Sequence, residues 1–397
     1  MSSLKYWLWL STRFKSGLVK GKILLEHFGS PENVYNAQNK DYLDIEGIKQ
    51  NDIKPLMQKE LDTANDILSD CARIGCRIIT LHDSDYPDRL RNIYDPPIVL
   101  YVNGRMPYID DEVVVGIVGS RKCTPYGLNV AENVAYRLSC RGVIIATGLA
   151  LGIDTAAAKG ALRGGSSLLG IIGSGLDVIY PPENKELFED VKSAGAVISE
   201  YPPGTAPVRW NFPARNRIIS GLSLGVAVIE APKKSGALIT AANAMEQGRD
   251  VFSLPGNVDA TACEGSNALL REGAIPFLSA DDIIDEYIEL YPDKINVLGE
   301  EKTSKSKCKK DVNIKTEVKK SIDNDSKVDY IDLGNLLETL NDDEKAIALS
   351  IGENSVNADE IILTTGFSAQ KVLTLLTMLE LAGHVERNLN GEWEITA

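Results

Sequence analysis

From residue 112 onward, apolar residues fall into short β-branched runs: Val113 to Val118, Val143 to Ala146, Leu168 to Ile172, Ala196 to Ile198, Gly225 to Ile229 and Val251 to Leu254. Amphipathic segments of helix length separate most of them. Strands apolar at successive positions are buried on both faces, and their alternation with helices predicts a parallel sheet covered on two sides. The fold class is therefore α/β, with a Rossmann-like parallel-sheet central domain over 112–290. Ligands of such sheets bind at the carboxyl ends of the strands.

The flanks read differently. Residues 1–70 predict a helical domain: Leu18-Val19 and Ile23-Leu24-Leu25 share a helix face that stops at Phe28-Gly29, and Ser30 is placed to cap a helix opening with Pro31. The run Tyr42 to Ile48 is similar to a helix-hairpin-helix turn, which serves either phosphate contact or a small protein-binding bundle. Residues 71–111 read as a connecting segment leading into the sheet. The span 291–330 reads as a flexible linker, lysine-rich and without apolar periodicity from residue 300. Beyond it, helical patterns at Asp342–Leu349, Ala358–Leu363 and Ser368–Leu381, the last two separated by Gly366, precede Val385–Ile395 with its Asn390-Gly391 hairpin turn. This predicts a winged-helix domain over 331–397.

Composition narrows the options. No run of about 18 apolar residues is present to span a membrane. The apolar run Leu4 to Leu10 lacks the basic leader and small-residue cleavage site of a secretory signal. Six scattered cysteines and three histidines give a poor inventory for zinc or disulfides, so the chain reads as cytosolic, with reduced thiols and neither metal nor cofactor. Against 42 basic residues stand 56 acidic ones, but the excess is local: residues 112–278 hold 15 of each, and residues 331–397 hold 3 basic and 12 acidic. The central domain can thus build a positive groove. The last helix of the winged-helix domain offers only Lys371 to a polyanion, so protein docking or a purely structural role fits that domain better than phosphate binding.

The candidate chemistry follows the strands. Gly119-Ser120-Arg121 ends the first, and a small-residue turn before a helix lets an anion approach the backbone while Arg121 adds a forked donor. Thr147 to Asp154 follows the second, with Asp154 read as a helix cap. Gly173-Ser174-Gly175, then Tyr180 to Lys185, follow the third. Phe212 to Ser223, with Arg215-Asn216-Arg217, lies beyond the fourth. Lys233-Lys234-Ser235-Gly236 follows the fifth. Each loop alone is ambiguous. Together they describe a phosphate-binding groove on one sheet edge, with Arg121, Lys185, Arg215, Arg217, Lys233 and Lys234 as its cations. The residues leave another role open for Arg215 or Arg217, pairing with Glu230 or Glu200 to brace the fold.

The motifs Gly-Ser-Arg with Tyr126-Gly127, Gly-Ile-Asp-Thr-Ala-Ala, Phe-Pro-x-Arg-Asn-Arg-Ile-Ile-x-Gly-Leu-Ser and Ser-Gly-x-Leu-Ile-Thr-Ala run in order from Gly119 to about Phe277. This stretch resembles the DprA (Smf) family of DNA-processing proteins. The resemblance implies a single-stranded DNA-binding protein that loads the recombinase RecA in natural transformation, works without catalysis and forms a homodimer through its Rossmann-like domain. It implies DNA contacts at Ser120, Arg121, Gly173, Ser174, Lys185, Phe188, Arg215, Asn216 and Arg217, with Phe188 either stacking a base or packing in the core. Lys233, Ser235 and Gly236 join them as groove residues. The chain departs from the family pattern at Leu151, often basic, and at Ala158, often histidine. A different class, a phosphoribohydrolase-like nucleotide-processing enzyme on a related fold, would need a catalytic glutamate where this chain has Asn243.

Overall fold

The computed structural model describes residues 3–14, 19–296, 342–351, 356–357, 361–362, 365, 367–381, 384–387 and 393–395. They fall into two compact units, divided after Lys307. The first opens with helices α1 (Leu4–Ser11), α2 (Lys20–Phe28), α3 (Pro31–Asn36), α4 (Gln50–Leu56) and α5 (Asp62–Ile74). Gly29 ends α2 in the left-handed region (φ 77°), and the Ser30 hydroxyl accepts from the Asn33 N–H above Pro31, as the sequence predicts. The apolar run near the start is α1. Trp7, Leu8, Trp9 and Leu10 are all buried, and the helix packs against α3 and α5.

Strand β1 (Arg77–Thr80), short helix α6 (Asp88–Arg91) and strand β2 (Val99–Gly104) come next, so the expected connecting segment is itself part of the sheet. There follow β3 (Val114–Val118), α7 (Pro125–Cys140), β4 (Ile144–Thr147), α8 (Ile153–Gly164), β5 (Leu168–Ile172), α9 (Lys185–Ala194), β6 (Ala196–Ser199), α10 (Asn211–Leu222), β7 (Gly225–Val228), α11 (Gly236–Glu246), β8 (Asp250–Ser253), α12 (Glu264–Arg271), β9 (Ile275–Pro276) and α13 (Ala280–Asp285). The nine strands are ordered β1-β2-β6-β5-β4-β3-β7-β8-β9. From β6 to β9 neighbours are parallel; β2 runs antiparallel to β6, with Tyr101 opposite Ser199, and β1 antiparallel to β2. All five residues of β3 are buried, as a central two-faced strand requires.

Right-handed crossovers place α7, α8 and α9 on one face and α10 and α11 on the other. The packing agrees: α8 lies on α7 and α9, and α10 on α11. Helices α7 and α8 approach closely because α8 turns small residues toward its neighbour, and a β-carbon on Gly160 would strike the Glu132 carbonyl. The chain moves outward one way from β3 to β6, then the other way from β7 to β9. That reversal opens a crevice at the carboxyl ends of β3 and β7.

The span expected as linker begins later than its first residues: Ile295 is buried, and the Asn296 N–H donates to the Arg141 carbonyl at 2.9 Å. From residue 297 the linker lies outside the described residues. In the second unit, helices Asp342–Ile351 and Ala369–Leu381 and the antiparallel strands β10 (Val385–Arg387) and β11 (Trp393–Ile395) share a core of Ile347, Ile351, Ile361, Val372, Leu376, Leu379, Val385 and Trp393. The middle helical pattern, Ala358–Leu363, is described only at Ile361-Ile362. Gly366 and the Asn390-Gly391 turn lie outside the described residues.

Candidate nucleic-acid interface

The turn after β3 is built by its own hydrogen bonds. The Ser120 N–H donates to the Glu230 carbonyl (2.7 Å), tying this loop to the one after β7. The Ser120 hydroxyl, buried, accepts from the Lys122 N–H and donates to the Lys122 carbonyl. This closed turn leaves Arg121 and Lys122 pointing into solvent. The start of α7 is not open to a ligand anion. Glu230, 1% exposed, receives the Thr124 N–H and hydroxyl on its carboxylate, so the protein's own carboxylate faces the positive helix end. A β-carbon on Gly127 would lie 2.5 Å from that carboxyl carbon, and only glycine leaves the room.

Between the β3 and β7 loops lies a groove of about 1090 Å³. One wall is Ser120-Arg121-Lys122. The facing wall is Lys233-Lys234-Ser235-Gly236, where Ser235 caps α11 by accepting from the Ala237 N–H and Gly236 has open space above it. Arg209 and Phe212 close a third side with Tyr180. The Arg121 guanidinium sits 5.2 Å from the Phe212 ring centre, and the Phe212 and Tyr180 rings stand 5.6 Å apart. Arg121, Lys122, Arg209, Lys233 and Lys234 are exposed, and none is in an ion pair among the described residues. The lining carries a single carboxylate, Asp154. A concave surface with five free cations and two aromatic rings suits a chain of phosphates bearing flat bases.

Several expected contacts stand elsewhere. Arg215, 3% exposed, forms part of the floor and donates to the carbonyls of Gly148 (2.8 Å) and Ile171. Burial lowers its guanidinium pKa to about 10 despite the nearby Asp154. Asn216 accepts from Arg215 and donates to the Gly236 carbonyl (3.1 Å), so it ties the floor to the Lys233–Gly236 wall from beneath. Arg217 is held by Glu200 and Asp95, both at 2.8 Å, which gives it the bracing role in place of a phosphate contact. Glu230 braces α7 and neither arginine.

Gly173 and Ser174 form a packing turn. Asn211 donates to the Gly173 carbonyl, a β-carbon on Gly173 would press within 3.2 Å of the Phe212 ring, and the buried Ser174 hydroxyl donates to the Val178 carbonyl. Lys185 is exposed at the start of α9 but does not line the groove. Phe188 has 0% exposure and packs in the core, because the α9 face carrying Leu187, Phe188 and Val191 covers the sheet. It has no ring face to offer a base.

Arg209, Lys122 and the pairing of Phe212 with Tyr180 escaped the motif reading. Arg209 sits in an irregular segment whose only signal is its place three residues before Phe212.

Asp154 is not a cap. It is the second residue of α8, buried in the groove floor, where its carboxylate accepts from the Gly148 N–H (3.1 Å). Burial raises its pKa to about 6, partly offset by Arg215. A raised carboxyl value favours the neutral form in the folded state, so its stabilising effect is complete below the ordinary 3.8 and is lost as pH rises through about 6. Urea midpoints should therefore move in favour of the wild type over Asp154→Asn as pH falls from about 7 to about 4. Parallel curves for the two proteins would contradict this.

The profile of the family described as DNA recombination-mediator protein A matches residues 77–288, and that of the DprA winged helix domain matches 335–389. Protein Smf of Synechocystis is 40% identical over 287 residues, covering 71% of this chain and 72% of that protein. The DNA processing protein DprA of Bacillus subtilis is 40% identical over 54% of this chain and 72% of its own length. The crystal structure of DprA from Streptococcus pneumoniae superposes with a TM-score of 0.61 at 36% identity, over 71% of this chain and 97% of that one. On the family profile, the relatives and the shared Rossmann-like architecture together, this chain belongs to the DprA/Smf family of DNA-processing proteins.

Proposed function

We propose that this protein binds single-stranded DNA in the groove at the β3/β7 crevice, protects it and passes it to RecA during natural transformation, without catalysing a reaction. The observation that carries the reading is the gathering of Arg121, Lys122, Arg209, Lys233 and Lys234 around Phe212 and Tyr180 on one concave face. The cations hold successive phosphates and the rings receive bases, which gives weak sequence preference and steep salt dependence. Recruitment of RecA, pairing of two copies and a cytoplasmic location belong to the same reading and rest on the family. Duplex DNA, with its bases stacked inside, has nothing to offer the two rings.

The phosphoribohydrolase alternative gains no support. Asn243 stands where its glutamate would fall and lines a separate cavity beside Arg217.

A salt-series titration of a fluorescent oligothymidine against the same length of duplex tests the proposal. Binding should favour the single strand, with log K falling against log salt at up to about −3.5, five contacts at about −0.7 each. Affinity indifferent to salt would overturn it.

A further inference from the structure

Helix α5 ends in a motif that brings two thiols together. Gly75 adopts the left-handed region (φ 67°), the Cys76 N–H donates to the Cys71 carbonyl at 2.9 Å, and the Gly75 N–H donates to the Ala72 carbonyl at 3.4 Å. These are the two reverse bonds of a Schellman cap, a geometry that folds the residue after the glycine back over the residue three positions inside the helix end. In most helices that contact is between apolar side chains. Here both positions are cysteine, and each thiol shifts the ionisation of the other.

Their surroundings differ. Cys71 is buried under α5, while Cys76 is half-buried at the head of β1, an edge strand. The neighbouring thiol holds Cys76 below its ordinary pKa and Cys71 above it. The more accessible sulfur is thus also the one that ionises first, and thiolate character with access sets susceptibility to oxidants.

We propose that Cys71 and Cys76 form a peroxide-responsive dithiol that closes to an intramolecular disulfide. The Cys76 thiolate attacks one oxygen of hydrogen peroxide, breaking the O–O bond to give the Cys76 sulfenic acid and hydroxide. The Cys71 thiol then attacks the Cys76 sulfur; an S–S bond forms, the S–O bond breaks, and water leaves with the Cys71 proton. The hydroxide takes up the proton that Cys76 released on ionising, so in sum the two thiols lose two electrons and two protons and one peroxide becomes two molecules of water. The 2.9 Å bond from the Cys76 N–H to the Cys71 carbonyl folds the two backbones against each other, the kind of close approach that a disulfide needs. The bridge closes the corner joining α5 to β1, the corner whose Arg73 reaches Asp177 on the β5–α9 loop at 3.9 Å. The inference is independent of the DNA reading.

The test uses the full native chain. After brief exposure to hydrogen peroxide, free thiols are alkylated and the protein is cut by trypsin, which cleaves after Arg73 and separates the two cysteines unless they are bridged. The expected result is a linked pair of peptides carrying Cys71 and Cys76, two alkylation sites lost, and both recovered with dithiothreitol. Cys71→Ser should leave a Cys76 sulfenic acid that dimedone traps. If the wild type keeps both thiols alkylatable while exposed Cys140 is oxidised, or if Cys76 passes to the sulfinic acid without a linked pair, the proposal is wrong. The wild-type reading stands alone should a serine variant fail to fold.

Discussion

Arg217→Ala is expected to lower folding stability by about 3–5 kcal/mol, the usual cost of removing one partner from a buried ion pair. Arg217 is 6% exposed, and its guanidinium spans Glu200 from the β6 end and Asp95 from the loop before β2, while also donating to the Ala214 carbonyl. Its partners hold it charged against the penalty of burial. Alanine takes the guanidinium from between the buried Glu200 carboxylate and the part-buried Asp95 carboxylate. Lysine is not a substitute, since a single ammonium cannot reproduce the paired N–H bonds to Glu200 at 2.9 and 2.8 Å. Urea unfolding of Arg217→Ala beside exposed Lys185→Ala gives the contrast, because surface changes of the second kind stay within about 0.5 kcal/mol. Unchanged stability with lost DNA affinity would return Arg217 to the phosphates and remove its bracing role.

Phe212→Ala is expected to weaken oligothymidine binding by about 1–3 kcal/mol, the range for a single base–aromatic stack. The ring is half-buried at the groove wall, tilted against Tyr180 with the Arg121 guanidinium over it, so it is held at the groove and cannot fold away. Arg121→Ala should reduce the salt slope by about 0.7, one phosphate contact, and the two substitutions together should lose less than their sum because they share the Arg121–Phe212 contact. The decisive comparison is with Phe188. Deleting that buried ring should cost about 3–5 kcal/mol of stability and leave the affinity of the folded fraction unaltered. Fluorescence anisotropy at several salt concentrations reads all of these. If Phe188→Ala weakened binding while Phe212→Ala did not, the stacking surface would have to be sought beside α9, away from the groove.

The strand runs, helix spacings and glycine stops were legible because a strand buried on both faces or a capped helix announces itself in consecutive residues. Thus β3 to β8, α2 with Gly29 and the Ser30 cap lie where the pattern places them. Strands β1 and β2 escaped: they join the sheet as an antiparallel edge, and that pairing is made with β6, nearly 100 residues further on.

The division of labour among the cations was likewise out of reach. Arg121, Arg215 and Arg217 read alike as arginines in loops and helix starts of one domain. Which faces water depends on whether the fold delivers a carboxylate or a carbonyl to it, and Glu200, Asp95, Gly148 and Ile171 come from four different segments. Local pattern alone therefore determined the central strands from β3 to β8, their order along the chain and the edge where their loops converge. The tertiary structure decided which charges are consumed as braces and which are free, because ion pairing and desolvation depend on distances in space between residues remote along the chain.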